Sequence, residues 1–527
     1  MRRKWFSITV SVMMVVAMFF TARSGEVVMS QEVSETEQEG IVNNDSLVLW
    51  YTDEALTDYM TTVALSYQGD TGRKVEPVLV SGVEFLEQIN RASVHEGETK
   101  ETAEGEMVEN MHAPDLFVTS HDNLMKAYLS GLASPIMDDD EMVSLRNYPQ
   151  TALNAVSCMG QYVGYPLFYE TNFFLYNKTY MADMAKNRME TEQDATEGEE
   201  ATKELENAEQ PPEAAEEIDA ESVPVNEMYD MEIGDDAPMG EEETEVSQEV
   251  LEKLSTMIPS TIDDILTFAN NYDAPDTVEA VFKWDVSDIF YNYFFVGNYM
   301  NIGGDSGDDN TIFNLYNKQA VDCLSVYQNM NQYFSIDAKA VTYDSILQEF
   351  LDGKTVFTVA TTDAIAKIEN AKAEGEFNFD YGVAVLPDIS STLKSRGLSV
   401  TNAIVVNGYS DEKESANAFA KYIALKKSDE LYKKSGKIAC RKNTTYENEE
   451  ITHIFAEYEK SVPLPKMIEA SNFWVQLEIA FTKIWTGSDP DETLKSLSDT
   501  IGGQIEEIEY HIPVQESIGA GADNAVK

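Results

Sequence analysis

The sequence predicts an α/β protein of mostly parallel sheets flanked by helices, on three observations. Short apolar stretches alternate with amphipathic ones along most of the 527 residues, the pattern of repeated strand–helix–strand units. The apolar share of 43% at this length is enough for two or more separate cores. The formal charge of −57 keeps a chain dispersed by self-repulsion and excludes partners that need a basic footprint, nucleic acid and anionic lipid among them.

The elements follow in order. SLVLWY (Ser46–Tyr51) reads as a strand, and the stretch from about Leu56 to Tyr67 as a helix. The chain turns at Gly72 and returns as a strand through Val80. A helix with apolar Val83, Leu86 and Ile89 follows, then a third strand in PDLFVTS, Pro114 to Ser120. Ligands of open parallel sheets bind beyond the carboxyl ends of the strands. Tyr51–Asp53 and Ser120–Asn123 therefore form the candidate rim of one site. YPLFYETNFFLYNK (Tyr165–Lys178) reads as a buried strand with a lone acid, Glu170. A carboxylate in such a run needs a partner or a cleft, because an unpaired charge is expensive to bury.

Some segments fall outside this pattern. The basic start Met1–Lys4, the apolar run Trp5–Phe20 and the small residues before Gly25 form a secretory signal, with residues 1–24 removed. The alternative is an uncleaved anchor, since the run approaches the ~17 residues that span a bilayer. The product is extracellular or periplasmic either way. Residues 25–45 are an acidic tether. From about 188 to 250 the chain carries some two dozen carboxylates against few bases and few large apolar groups, and is expected to be disordered or transiently helical. His95–Glu109 reads as a smaller surface insertion, GGDSGDDN (Gly303–Asn310) as a surface turn, and residues 511–527 as a flexible tail. Three widely spaced cysteines form neither a disulfide framework nor a metal site, and are expected as free thiols.

Chemistry-bearing motifs are missing from the sequence. It has no G-x-S-x-G, no H-E-x-x-H and no phosphate-binding loop, and its five histidines are scattered. The reading is a non-enzyme with no catalytic residue, metal or cofactor. A secreted glycosidase, which needs only two suitably spaced carboxylates, stays open as an alternative of another class.

The order of the pieces resembles a known family. LVLWYTDE, DTGRKVEPVLV, APDLFVTSHDNLMKAYLSGLASPI and GQYVGYPLFYETNFFLYNK run in the order of the extracellular solute-binding proteins of ABC importers. Later stretches agree: TIDDILTFAN, ILQEFLDGKTVFTVATT, YGVAVLPD, GLSVTNAIVVNGYSDEKESANAFAKYIA and SNFWVQLEIAFTKIWTGSDPDETLKSL. The chain is most similar to the maltose/maltodextrin-binding, carbohydrate-binding branch.

The resemblance implies a two-lobe periplasmic-binding-protein fold of type II, a monomer that closes by a hinge on a small-molecule solute and presents it to an ABC permease. It implies a first lobe from residues 46–168 and 386–440, and a second from 169–385 and 441–510. Tyr165, Pro166 and Pro387 would lie at hinge crossings. Glu170 matches the family's cleft glutamate, Trp474 its stacking tryptophan, Asp122 the acid of the first lobe's rim loop and Glu54 the acid after the first strand. Tyr51 joins them on the rim, with Tyr291 as a further aromatic platform. Asp363 stands where the family has a second-lobe tryptophan.

Other departures accumulate at the same positions. Thr119 replaces a tryptophan, Asn123 an arginine and Ala55 a lysine. Two stacking faces and two cations of the maltodextrin pattern are absent, which implies a different or smaller sugar. A cationic or peptide solute on the same fold is the alternative.

Overall fold

In the computed structural model the described residues are 46–94, 99–101, 107–109, 112–208, 246–467 and 472–511. The expected signal, the tether, the middle of the acidic insertion and all but the first residue of the expected tail lie outside them. Among the described residues no helix is long and apolar enough to cross a membrane.

A ten-stranded sheet organises the molecule. Ser46–Tyr51 pairs in parallel with Lys74–Leu79 on one side and with Leu116–Ser120 on the other. Every residue of the first strand after Ser46 is buried, and the strand alternates between two cores. Leu47, Leu49 and Tyr51 enter one, while Val48 and Trp50 enter the other. A strand covered by helices on both faces reads as a continuous apolar run, which is why SLVLWY shows no polar alternation.

The expectation of mostly parallel pairing holds at the flanks and fails at the centre. There Leu116–Ser120 pairs antiparallel with Leu398–Val406, which pairs antiparallel with Tyr165–Asn177. The long strand Tyr165–Asn177 then pairs antiparallel with Thr355–Thr361 and Tyr381–Ala384. The physical reason is the path of the chain: Tyr165–Asn177 runs from its pairing with Leu398–Val406 toward its pairing with Thr355–Thr361, and Leu398–Val406 comes back the other way. The long strand changes partners midway. Residues 165–171 pair with Leu398–Val406, and residues 172–177 with Thr355–Thr361.

A third, aromatic core gathers around Trp284, Phe295, Tyr327 and Trp485, all at most 2% exposed. The Trp284 indole donates to Asn292 and the Trp485 indole to the Ile336 carbonyl, so neither polar edge is stranded.

Three of the outlying segments gain detail. A helix, Lys178–Ala208, occupies the first part of the acidic stretch. Its sequence is rich in Ala, Met, Glu and Lys, strong helix formers, and it grows from a packed first turn. Lys253 of the following helix, Gln248–Ser255, reaches its Glu192 at 2.8 Å. The insertion at His95–Glu109 contains a small hairpin, Thr99–Glu101 with Met107–Glu109. The Gly303–Asn310 stretch is a surface turn as expected, and it is docked: the Gly307 carbonyl accepts the amides of Lys466 and Met467, and the Asp308 carboxylate accepts that of Met159. Cys158, Cys323 and Cys440 are free and fully buried.

Candidate functional site

The long strand Tyr165–Asn177 forms the floor of the site. Twelve of its thirteen residues are buried, and the exception is Glu170. Side chains alternate along a strand, so Phe168, Glu170 and Asn172 share a face. Phe168 is paired with Asn402, which is itself paired with Ser120 at the end of the third strand. Asn172 is paired with Thr361, at the end of a second-lobe strand. The ends of the strands Leu116–Ser120 and Thr355–Thr361 thus converge within two residues of Glu170.

The partner of Glu170 is a lysine. The two-residue strand Ile438–Ala439 pairs with Tyr169 and Phe168, which sets Lys437 beside the acid. Its Nζ lies 3.5 Å from Glu170 Oε1, 2.8 Å from Asp53 Oδ2 and 5.3 Å from the Phe168 ring centroid. Burial alone would lower the lysine pKa, but the two carboxylates outweigh it and raise it. One cation therefore bridges acids from two elements and offsets half their charge, and sequence reasoning missed it. The only signal was a lysine entering an apolar strand directly after Gly436.

The first-lobe rim is built of short polar turns. Asp53 accepts the Ala55 amide at 3.0 Å and so caps the single turn Glu54–Leu56, on which Glu54 is exposed. Tyr51 departs from expectation: it is 2% exposed, lies in the core, and donates its hydroxyl to Thr57. Asp122 sits exposed on the turn His121–Asn123, where Asn123 donates to Ser120 Oγ at 3.0 Å. His121 beneath it is fully buried. Its Nδ1 accepts the Thr401 amide and its Nε2–H donates to the Leu464 carbonyl, each at 3.0 Å. Burial, helped by the nearby Lys466 ammonium, pushes the imidazole pKa down to about 4, so it is a neutral peg for the rim. Lys466 is itself buried and donates to the carbonyls of Asn154 and Ala155 at 2.7 and 2.9 Å. Burial drives its pKa down to about 8.

The second-lobe wall is aromatic. Tyr291 is buried and stacks on Tyr343 with centroids 4.9 Å apart and planes 20° apart, so one of its faces is already covered. The Tyr343 hydroxyl donates to Asp363 at 2.9 Å, Thr361 Oγ1 donates to the same oxygen, and Lys367 binds the other at 2.8 Å. These donors hold the Asp363 pKa below the usual range against a burial effect that would raise it. Trp474, at the start of the helix Phe473–Trp485, is half-buried with Tyr293 and Phe473 edge-on at 5.5 and 4.8 Å. One turn on, Glu478 has its pKa raised by partial enclosure and by Asp288.

The expected hinge residues lie at the strand junctions. Tyr165 is fully buried and its hydroxyl bonds Asn417 at 2.8 Å. Pro166, which has no N–H for the ladder, sits where the register with Leu398–Val406 shifts. Pro387 lies between Leu386, whose amide donates to buried Glu457, and Asp388, which bridges to Thr261. Among the described residues no group of three or more His, Cys, Asp or Glu is arranged to hold a metal ion.

The family profile described as bacterial extracellular solute-binding protein matches residues 89–452. No curated protein matches the chain. Among solved structures, an extracellular solute-binding protein of Staphylococcus aureus in complex with maltose is similar, with 19% identity and a TM-score of 0.62, over 88% of this chain and 98% of that one. A cyclo/maltodextrin-binding protein complexed with maltotetraose shares 18% identity at a TM-score of 0.62, over 88% of this chain and 97% of its own. A maltose-binding periplasmic protein of Listeria monocytogenes shares 17% at 0.60, over 88% and 98%. At these identities the likeness shows a common two-lobe fold.

Proposed function

Since this chain belongs to the bacterial extracellular solute-binding proteins, we propose that it captures a neutral carbohydrate between its lobes and delivers it to the permease of an ABC importer. The observation that carries the reading is the floor cluster, in which Lys437 binds Glu170 and Asp53 together. Carboxylates shared by a bridging lysine are held in place with acceptor oxygens left over for hydroxyl groups, and the lysine offsets part of the charge that would otherwise call for a cationic ligand. Asp363, held by Lys367, follows the same rule on the other wall.

A sugar offers hydroxyls around an apolar ring face. The first lobe supplies acceptors and the second supplies aromatic surface, so one ligand satisfies both only when the lobes close. Closure is then selected by differential contact, and the permease would read the closed form. The missing tryptophan at Thr119 favours a sugar other than a long, flat-stacked maltodextrin. The solved relatives with bound maltose or maltotetraose add support for a saccharide as a class.

Thermal shift with mono- and oligosaccharides, polyamines and peptides tests this. A ligand specific to the folded state adds about 2.7 kcal/mol at a hundredfold excess over Kd. A shift with sugars alone is expected; shifts with polyamines alone would replace the sugar by a cation, and hydrolysis of an oligosaccharide would replace binding by catalysis.

A further inference from the structure

We propose that Glu457 carries a proton in the folded protein and donates it to Asn172, fastening the segment around Pro387 to the floor strand by a neutral hydrogen bond that rising pH undoes. Two acceptors come together there with no donor between them. Glu457 and Asn172 are fully buried, and among the described residues neither Glu457 Oε1 nor Asn172 Oδ1 has a hydrogen-bond partner. Both oxygens lie over Gly397. A Cβ on that glycine would be 3.0 Å from Asn172 Oδ1 and 3.4 Å from Glu457 Oε1, so the missing side chain gives them room.

Neither oxygen can be exchanged for a donor. The Asn172 Nδ2 donates to the Phe290 carbonyl, and a flipped amide would set two oxygens against each other there. The second carboxyl oxygen of Glu457, Oε2, accepts the Leu386 amide and the Lys460 ammonium, each at 3.0 Å. Both contacts survive a proton on Oε1, because Oε2 is then a carbonyl oxygen with two lone pairs. One proton on Oε1 thus turns two stranded acceptors into an O–H···O hydrogen bond.

The surrounding charges are compatible with a neutral Glu457. On its own helix, Glu450–Lys460, the cation beside it is the partly exposed Lys460, while Glu450 and His453 pair with each other. Asp388 lies near it from the preceding segment and is bound by Lys394 at 2.7 Å. Arg396, next to Gly397, turns its guanidinium to the carbonyls of Lys460 and Ser461. The charged residue of the floor strand, Glu170, is held by Lys437. Burial raises the Glu457 pKa above the usual carboxylate range, and Asp388 adds to it, against the pull of Lys460 and the Leu386 amide.

The sign of the pH effect follows. An unfolded glutamate loses its proton near pH 4.3, about the ordinary value. The folded protein keeps it to higher pH, so the stabilisation is complete below that value and is lost as pH rises through the folded pKa.

The test is denaturant titration of wild type and Glu457→Gln at pH 5, 6 and 7. The glutamine places an N–H donor where the proton sits and does not titrate. The ratio of folding constants, wild type over variant, should fall by at least about tenfold from pH 5 to pH 7. The infrared band of a protonated carboxyl group should be present in wild type at pH 6 and missing from the variant. Lys460→Gln gives an independent arm at a partly exposed position. Beside a protonated Glu457 it should cost less than about tenfold in the folding constant at pH 6, whereas stranding a buried carboxylate costs about a hundredfold or more. A larger cost in that variant would overturn the proposal. So would a missing infrared band, or a ratio that falls less, stays flat or rises with pH, as it would if a water bridged an ionised Glu457 to Asn172.

Discussion

The two walls of the cleft are made differently. The first lobe contributes Asp53, Glu54 and Asp122 on short turns, carried by a buried neutral histidine and a single lysine. The second contributes rings, Tyr291 on Tyr343 and Trp474 on Tyr293, with one carboxylate pinned among hydroxyls and a lysine. One wall can discriminate hydroxyl patterns, because an unmatched buried polar group costs about 1–3 kcal/mol. The other supplies contact area with little directional demand. Neither would hold a sugar firmly alone, which makes affinity a property of closure.

The sharpest break in that comparison is between two adjacent rings of the second wall. Phe473 is 1% exposed in the aromatic core, while Trp474 is half-buried beside it. Phe473→Ala should lose about 3–5 kcal/mol of folding stability in a denaturant titration. Trp474→Ala should weaken sugar binding by more than 2 kcal/mol, roughly thirtyfold or more, with a much smaller fall in stability. If Trp474→Ala unfolds the protein as Phe473→Ala does, the tryptophan is core and the second wall loses its platform.

The peg under the first wall comes next, through pH. His121 has a folded pKa near 4, below its unfolded value of about 6.5. The unfolded chain therefore binds the proton more readily between these values, and stability rises with pH across the window. The contribution is complete above pH 6.5 and is lost as pH falls to 4, about 3 kcal/mol in all. Carboxylates titrate nearby, so the measurement is the difference between wild type and His121→Asn in denaturant titrations at pH 7 and pH 4.5. Equal losses in both proteins would remove His121 from the account.

Legibility in the sequence followed the range of the interaction. The first strand, the third strand and the long strand were readable because their apolar runs reflect local burial. Glu170 was readable because it alone interrupts such a run. Its partner was not, since Lys437 lies 267 residues away, with many helices and strands between them. Tyr291 was named without Tyr343, because a stack between residues 52 apart leaves no periodic trace. Tyr51 was misplaced for a subtler reason. The last residue of a buried strand alternates like the others, and its ring follows Leu47 and Leu49 into the core while the polar residues after it turn outward. The histidines looked scattered because His121 binds only backbone groups, from residues 280 and 343 positions away.

At the floor, charge and shape can be separated. Glu170→Gln keeps the outline of the side chain and one acceptor oxygen but ends the ion pair with Lys437. Charge-assisted hydrogen bonds are worth about 1.5–3 kcal/mol, so sugar affinity should fall by about 2 kcal/mol, roughly thirtyfold. Glu170 is partly exposed, so stability should change by less than about 1 kcal/mol. A variant that binds as well as wild type would mean that the lysine, left with Asp53 alone, organises the floor by itself.

The smallest effect should come from the rim, where two neighbouring acids do different jobs. Asp53 caps the turn that follows and binds Lys437 at 2.8 Å, so Asp53→Asn disturbs the floor at one remove. Glu54 is exposed on the turn, and no cation pairs with it among the described residues. Glu54→Gln should therefore change stability by no more than about 0.5 kcal/mol and sugar affinity by no more than about threefold. The same substitution carries more information if the solute is charged. An exposed carboxylate steering a cation would show a fall in association rate that deepens at low salt, where screening is weakest. Stopped-flow binding at two ionic strengths thus separates a first wall that recognises hydroxyls from one that collects positive charge.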